Sequence, residues 1–133
     1  MYRVGATLYF SYGHRLLEHP GKCAHLHGHN ARVQIEISSQ MLNPQGMVID
    51  FHEINQKLGE WLDRELDHKM ILIEKDPLVE VLQKAGEPVV VLAHPPTAET
   101  LAKLIFDEAR VLRLPVSRVI LWETEDSFAV YHE

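Results

Sequence analysis

Residues that could bind a metal ion lie close together near the start of the chain. His27 and His29 are two positions apart in a predicted strand, so their side chains point to the same side with Cα atoms about 6.6 Å apart. Imidazole nitrogens that converge in this way are common zinc ligands. The pair therefore indicates a metal site, and two ordinary strand histidines satisfied by hydrogen bonds are the alternative.

A third histidine is predicted to join this pair. His14 continues the apolar, even-numbered face of a first strand that begins at Tyr2, and antiparallel pairing of the two strands would bring it to the same face as the pair. Three protein ligands with a fourth position open to substrate are typical of a catalytic zinc site. The set His14, His27 and His29 therefore predicts a catalytic rather than a structural metal ion.

The only cysteine of the chain, Cys23, lies in the loop between the two predicted strands. A single cysteine cannot form an intramolecular disulfide, so we expect either thiol chemistry or burial as a small hydrophobic residue. His25 lies in the same loop and shares the parity of the ligand histidines. It is a candidate competitor for the metal.

The composition excludes several other classes of function. A chain of 133 residues with 46% hydrophobic and 24% charged residues is expected to form one globular domain, spanning residues 1–133. Its formal net charge of −6 argues against a broad nucleic-acid surface. The chain has no apolar run near the roughly 20 residues that span a bilayer and no secretory signal at its start, so we expect no membrane partner and a cytoplasmic location.

Hydrophobic periodicity predicts an α+β fold. A period of two marks strands over residues 2–14 and about 27–38, and a hairpin over 116–124 and 128–132. Helical spacing and start signals predict long helices from Asp50 to about Leu66 and from Pro96 to about Leu112. This order predicts a four-stranded antiparallel sheet with two long helices on one face. Residues 76–86 are compatible with a short extra helix and residues 89–92 with a short strand.

Six segments of the chain, in order, resemble the signature of the 6-pyruvoyltetrahydropterin synthase family. They are Phe10-Ser-Tyr-Gly-His14-Arg-Leu, Cys23-Ala-His-Leu-His27-Gly-His29-Asn30, Gly46-Met-Val-Ile-Asp50-Phe51, Leu66-Asp67-His68, Pro96-Thr97-Ala98-Glu99 and Glu123-Thr124. The resemblance implies the tunnelling fold, in which subunits assemble into barrel-shaped trimers, often stacked as hexamers. It also implies a homo-oligomer with active sites between subunits.

Roles for individual residues follow from the resemblance. It implies that His14, His27 and His29 bind zinc and that the thiolate of Cys23 abstracts a proton. It implies that Asp67 and His68, from a neighbouring subunit, assist this step. It also implies that Glu123 and Thr97 contact the substrate. Without the resemblance, the Asp-His pair would be read as a helix end and Glu123 as a solvated strand residue.

The spacing between the cysteine and the histidines selects one reaction within the family. Three residues separate Cys23 from His27, which resembles the bacterial 6-carboxytetrahydropterin synthases. The implied lyase reaction converts 7,8-dihydroneopterin triphosphate to 6-carboxy-5,6,7,8-tetrahydropterin with release of acetaldehyde and triphosphate, toward 7-deazaguanine and queuosine. The alternatives are a 6-pyruvoyltetrahydropterin synthase and a non-catalytic zinc- and pterin-binding protein. Pro95 departs from the family, where asparagine usually precedes Pro-Thr.

Overall fold

The two longest strands form the centre of the sheet and bring the histidines together. In the computed structural model, which describes residues 1–133, β1 (Tyr2–His14) pairs antiparallel with β2 (His27–Ser39). The register is unbroken from Tyr2 opposite Ser39 to His14 opposite His27. Even positions of β1 and odd positions of β2 therefore share one face, as the alternating sequence predicts.

The complete sheet has six strands, so the predicted count of four is wrong. The further strands are β3 (Lys69–Ile73), β4 (Val89–Leu92), β5 (Val116–Trp122) and β6 (Phe128–His132), in the spatial order β4-β3-β1-β2-β5-β6. β5 and β6 form the predicted hairpin and extend the antiparallel part of the sheet. β3 instead runs parallel to β1, and β4 runs parallel to β3, so the sheet is mixed.

The missed strand β3 has no alternation that sequence reading could detect. Its last three residues, Ile71, Leu72 and Ile73, are all buried, because both of its faces are covered. A strand buried on both faces reads as a short continuous apolar run and not as a period of two.

The predicted long helices are present, and each begins at a capping side chain. The first comprises α1 (Phe51–Ile54), a π-helical segment (Asn55–Gly59) and α2 (Glu60–Glu65), which follow one another directly. The Asp50 side chain accepts the His52 N–H at its start. α3 (Leu78–Lys84) is the short extra helix, and α4 (Ala98–Val111) is the second long one. None of these helices combines the length and apolar character needed to cross a lipid bilayer.

The hydrophobic core lies between the long helices and one face of the sheet. Its fully buried members include Val33 and Ile35 from β2, Leu58 and Leu62 from the first helix, and Ile105 from α4. Tyr9, on the other parity of β1, is 68% exposed. The predicted α+β class, with the two long helices packed on one face of the sheet, is confirmed.

A partly buried ion pair fixes the chain where it leaves β1. Arg15 donates from Nε to Asp76 Oδ2 over 2.7 Å and from Nη2 to Asp76 Oδ1 over 2.5 Å. The same carboxylate accepts the Leu78 N–H at the start of α3. Because the Asp76 side chain is fully buried, this two-point contact ties the residue after His14 to the turn that follows β3.

Candidate metal centre

Three imidazoles converge at one end of the central strand pair. His14 lies directly opposite His27, and His29 lies opposite Tyr12, on the same face. One ring nitrogen from each histidine lies within 4.8 Å of the others, and the ring centroids are 4.6 to 5.1 Å apart. The predicted ligand set is therefore brought together by the register of β1 and β2.

Backbone carbonyl groups set the orientation of two of these rings. Nδ1 of His14 lies 2.7 Å from the carbonyl oxygen of Pro96, and Nδ1 of His27 lies 2.7 Å from that of His25. Because a carbonyl oxygen only accepts, each Nδ1 must carry the hydrogen, which leaves Nε2 as a lone-pair donor to a metal. Metal-binding histidines commonly have this outer hydrogen bond.

The Nε2 atom of His14 gives an independent indication of a metal site. The atom is buried and has no hydrogen-bond partner, and the side chain is only 2% exposed. Burial is the main reason that the pKa of His14 lies below its ordinary value, so the ring is neutral near neutral pH. An unsatisfied buried acceptor costs about 1–3 kcal/mol, and a metal ion would satisfy it. The three residues fit a divalent metal such as zinc.

A carboxylate approaches the histidines from the end of β5. Glu123 Oε1 lies 3.9 Å from His14 Nε2, and Oε2 lies 3.8 Å from His29 Nε2. Glu123 Oε1 also accepts the hydroxyl hydrogen of Tyr12 over 2.7 Å. Sequence reading placed Glu123 in the site by resemblance alone, and the structure brings it to the histidines.

Tyr12 is a member of the site that sequence reading did not single out. It is 3% exposed, and burial, followed by the charge and hydrogen bond of Glu123, raises its pKa far above the ordinary value. The hydroxyl therefore stays protonated and acts as a donor. The available signal was its parity, because Tyr12 shares the buried face of β1 with His14.

Cys23 lies beside the end of β1 but is not a member of the histidine cluster. It occupies a 3₁₀ turn (Lys22–Ala24), and its carbonyl oxygen accepts the N–H of Leu16 over 2.8 Å. Its side chain is partly buried, and its thiol is free. His25 is exposed and lies outside the cluster, so it contributes its carbonyl group and not its ring.

Asp67 and His68 form a direct side-chain contact despite being sequence neighbours. Asp67 Oδ2 lies 2.7 Å from His68 Nδ1, and Asp67 Oδ1 accepts the N–H of Ser11 over 2.7 Å. Burial alone would raise the pKa of Asp67, but the hydrogen bonds from Ser11 and His68 hold it below its usual value. His68 adopts a left-handed backbone with φ of 58°, and its side chain is 80% exposed.

A cleft connects this pair with the histidine cluster. Its volume is about 640 Å³, and its lining includes His27, His29 and Asn30 from β2 together with His68 and Lys69. Two histidines of the cluster, His27 and His29, and the exposed imidazole of His68 therefore face a common open space. The cleft is of the size that ligand sites in proteins usually have.

Thr97 serves the structure as the N-cap of α4. Its Oγ1 accepts the N–H of Thr100 over 3.2 Å, and the residue before it supplies the carbonyl that holds His14. The helix start thus positions a candidate metal ligand. A substrate contact from Thr97 itself stays a prediction.

Known proteins resemble the chain along its length. A family model described as 6-pyruvoyl tetrahydropterin synthase matches residues 3–133. A probable 6-carboxy-5,6,7,8-tetrahydropterin synthase from Halobacterium salinarum is 40% identical over 97 residues, which make up 71% of this chain and 61% of that protein. The 6-carboxy-5,6,7,8-tetrahydropterin synthase of Haemophilus influenzae is 30% identical over 141 residues, covering 100% of both chains. The solved 6-pyruvoyl tetrahydropterin synthase of Caenorhabditis elegans superposes with a TM-score of 0.75 at 24% identity, covering 99% of this chain and 95% of that one.

These matches and the histidine cluster define a class of lyase-type enzymes with a pterin synthase role. Within that class, the chain belongs to the 6-pyruvoyl tetrahydropterin synthase family.

Proposed function

We propose that this protein converts 7,8-dihydroneopterin triphosphate to 6-carboxy-5,6,7,8-tetrahydropterin, releasing acetaldehyde and triphosphate, as a step toward 7-deazaguanine and queuosine. The observation that carries the proposal is the convergence of three imidazoles with a partnerless, buried Nε2 on His14. The names of the relatives from Halobacterium and Haemophilus support the carboxy product. The three-residue spacing between Cys23 and His27 supports the same choice.

His14, His27 and His29 would hold a zinc ion through their Nε2 atoms. Three neutral imidazoles with a fourth position free of protein ligands suit zinc in a catalytic role. When bound, zinc supplies Lewis acidity beside the hydroxyl groups of the substrate side chain. The carbonyl groups of Pro96 and His25 keep two of the rings oriented for binding.

Glu123 would anchor the pterin ring. The amino group and adjacent ring N–H of a pterin form a pair of donors that one carboxylate can accept in bidentate fashion. The side chain of Glu123 is 22% exposed, so it is accessible to a ligand while it is held by Tyr12. Its position within 4 Å of two ligand histidines would place the pterin side chain beside the metal.

Cys23 and the Asp67–His68 pair would move protons. The thiolate of Cys23 would act as the base that removes a proton from the substrate side chain. The carboxylate of Asp67 accepts a hydrogen bond from Nδ1 of His68. The other ring nitrogen, Nε2, is therefore left to take up or release a proton. A carboxylate that fixes one ring nitrogen is the usual support for an acid-base histidine.

The exposure of His68 supports an active site shared between subunits. An acid-base imidazole that is 80% exposed in a single chain is not yet shielded from water. We therefore propose a homo-oligomer, a trimer or hexamer, in which this pair completes the site of a neighbouring subunit. Assembly would then be a requirement for activity.

Product analysis tests the proposed reaction. Zinc-loaded protein is incubated with 7,8-dihydroneopterin triphosphate, and the products are identified by mass spectrometry. We expect 6-carboxytetrahydropterin and acetaldehyde, and we expect the Cys23→Ala variant to bind zinc and pterin but give no product.

Two other results would replace the proposal. Formation of 6-pyruvoyltetrahydropterin would instead assign the 6-pyruvoyl tetrahydropterin synthase reaction, which gives the matching family model its name. Absence of turnover, with pterin affinity unchanged by Cys23→Ala, would assign a binding protein without catalysis.

A further inference from the structure

The side chain of Tyr12 is buried and packed against aromatic rings beside the candidate metal centre. Its ring stacks on Phe10 with centroids 5.3 Å apart and meets the ring of His14 edge-on at 5.0 Å. Its hydroxyl group has one hydrogen-bond partner, Glu123 Oε1, at 2.7 Å. The ring therefore fixes the hydroxyl, and the hydroxyl fixes one oxygen of the carboxylate.

Glu123 is close enough to the histidines to compete for the metal. Its two oxygens lie 3.9 Å and 3.8 Å from the Nε2 atoms of His14 and His29. Zinc bonds to nitrogen and carboxylate oxygen are both about 2 Å long, so a small rotation of the carboxylate would let one oxygen reach the ion. Three histidines and a glutamate would then form a closed, four-coordinate site, as in structural zinc centres.

The hydrogen bond from Tyr12 opposes that rotation. Oε1 accepts the phenol hydrogen, while Oε2 lies 3.8 Å from His29 Nε2 and accepts no hydrogen bond from Tyr12. Because both oxygens belong to one planar carboxylate, a rotation that carries either of them to the metal also moves Oε1 away from Tyr12. Such a rotation would leave the buried hydroxyl group unsatisfied. No other side chain donates a hydrogen bond to Glu123, so the position of the carboxylate depends on Tyr12.

We propose that Tyr12 is a positioning residue that holds Glu123 away from the metal, so that the fourth coordination position stays open and the carboxylate stays available to the pterin. This inference rests on the proposed function, because it needs the three histidines to bind zinc. It adds that the hydroxyl group of Tyr12 determines whether the fourth coordination position is open to substrate or filled by Glu123.

The test compares Tyr12→Phe with the unchanged protein. The substitution keeps the ring and removes only the hydroxyl group. We expect zinc affinity, measured by competition with a chromogenic chelator, to rise about tenfold, because the freed carboxylate would become a fourth protein ligand. Removing an ordinary outer partner instead lowers metal affinity, by about tenfold or more. A merely structural role for the hydroxyl would lower zinc affinity together with stability, so the sign of the change separates the two.

Thiocyanate reports whether the fourth position is open. In the unchanged protein loaded with Co²⁺, we expect thiocyanate to alter the visible absorption spectrum by entering the vacant position. In Tyr12→Phe, the carboxylate would occupy that position, so we expect the thiocyanate response to be lost. Because neither readout depends on turnover, both report on the metal site itself.

Two further variants serve as controls. Tyr2→Phe makes the same change at the other end of β1, where the side chain is 50% exposed, and should leave both readouts unchanged. Tyr12→Phe combined with Glu123→Gln removes the competing carboxylate charge and should restore the thiocyanate response.

The outcomes separate this inference from the proposed function. If the unchanged protein binds Co²⁺ and responds to thiocyanate, while Tyr12→Phe shows the same response and no gain in zinc affinity, the inference is overturned and the metal site stands. An unchanged protein that binds neither zinc nor Co²⁺ would overturn both.

Discussion

The ring of His14 donates its Nδ1–H to the carbonyl oxygen of Pro96 across 2.7 Å. This contact joins the end of β1 to the segment that starts α4, 82 positions later in the chain. It leaves the opposite nitrogen of the ring buried and without a partner. The fold thus orients a candidate metal ligand through contacts that are remote in sequence.

Replacing His14 should remove most of the stabilisation that zinc provides. A ligand at 100 times its Kd stabilises a folded protein by about 2.7 kcal/mol, so we expect zinc to raise the Tm of the unchanged protein. In His14→Ala we expect this rise to be largely lost. Differential scanning fluorimetry with and without zinc measures it. His132→Ala, which changes an exposed histidine of β6, should retain the rise, and a retained rise in His14→Ala would contradict the ligand assignment.

Mixing two inactive variants should restore activity if the site is shared between subunits. We expect Cys23→Ala and His68→Ala each to be inactive alone. In randomly mixed oligomers, about one quarter of the interfaces would combine an intact Cys23 with an intact His68 of the neighbour. Refolding the two variants together and measuring turnover tests this.

The mixing experiment has a clear opposite outcome. Activity that stays at the level of the separate variants, although mass spectrometry shows that the oligomers have mixed, would assign both residues to one chain. Variants refolded separately and combined without exchange provide the control.

The Arg15–Asp76 pair should make the free energy of unfolding depend on pH. The hydrogen bond from Arg15, followed by the N–H of Leu78 and the charge of Arg15, outweighs burial and holds the pKa of Asp76 below its usual value. The folded state therefore binds fewer protons than the unfolded state, and the contribution is complete above about pH 4, the usual pKa of aspartate. It is lost as the pH falls from there through the lowered pKa.

Asp76→Asn tests this contribution. A hydrogen bond to a charged group contributes about 1.5–3 kcal/mol, and Asp76 is buried while Arg15 is partly exposed, so we expect a free energy of unfolding lower by about this amount at pH 7. The difference from the unchanged protein should shrink at pH 3. Urea unfolding at both pH values measures it. Asp126→Asn, in the exposed β5–β6 turn, is the control, and an equal difference at both pH values would contradict the assigned sign.

The features that the sequence predicted well are local or periodic. The alternation in β1 and β2 fixes which side chains share a face, and that alone brings His14 to His27 and His29. The caps at Asp50 and Thr97 mark where the helices start. These patterns depend on neighbouring residues, so they can be read without the tertiary structure.

The features that sequence reading missed depend on distant contacts. β3 is defined by parallel pairing to β1 and β4, and its apolar run alone does not distinguish a strand from other buried segments. The bond between Tyr12 and Glu123 joins residues 111 positions apart. Only the arrangement of β1, β2 and β5 in one sheet brings these two side chains together.

The most direct measurement is anomalous diffraction at the zinc absorption edge from crystals grown with zinc. We expect one anomalous peak per chain, bonded at about 2.0–2.1 Å to Nε2 of His14, His27 and His29, with no fourth ligand from the protein. No peak at these histidines, or an ion that also binds Glu123 in the unchanged protein, would contradict it.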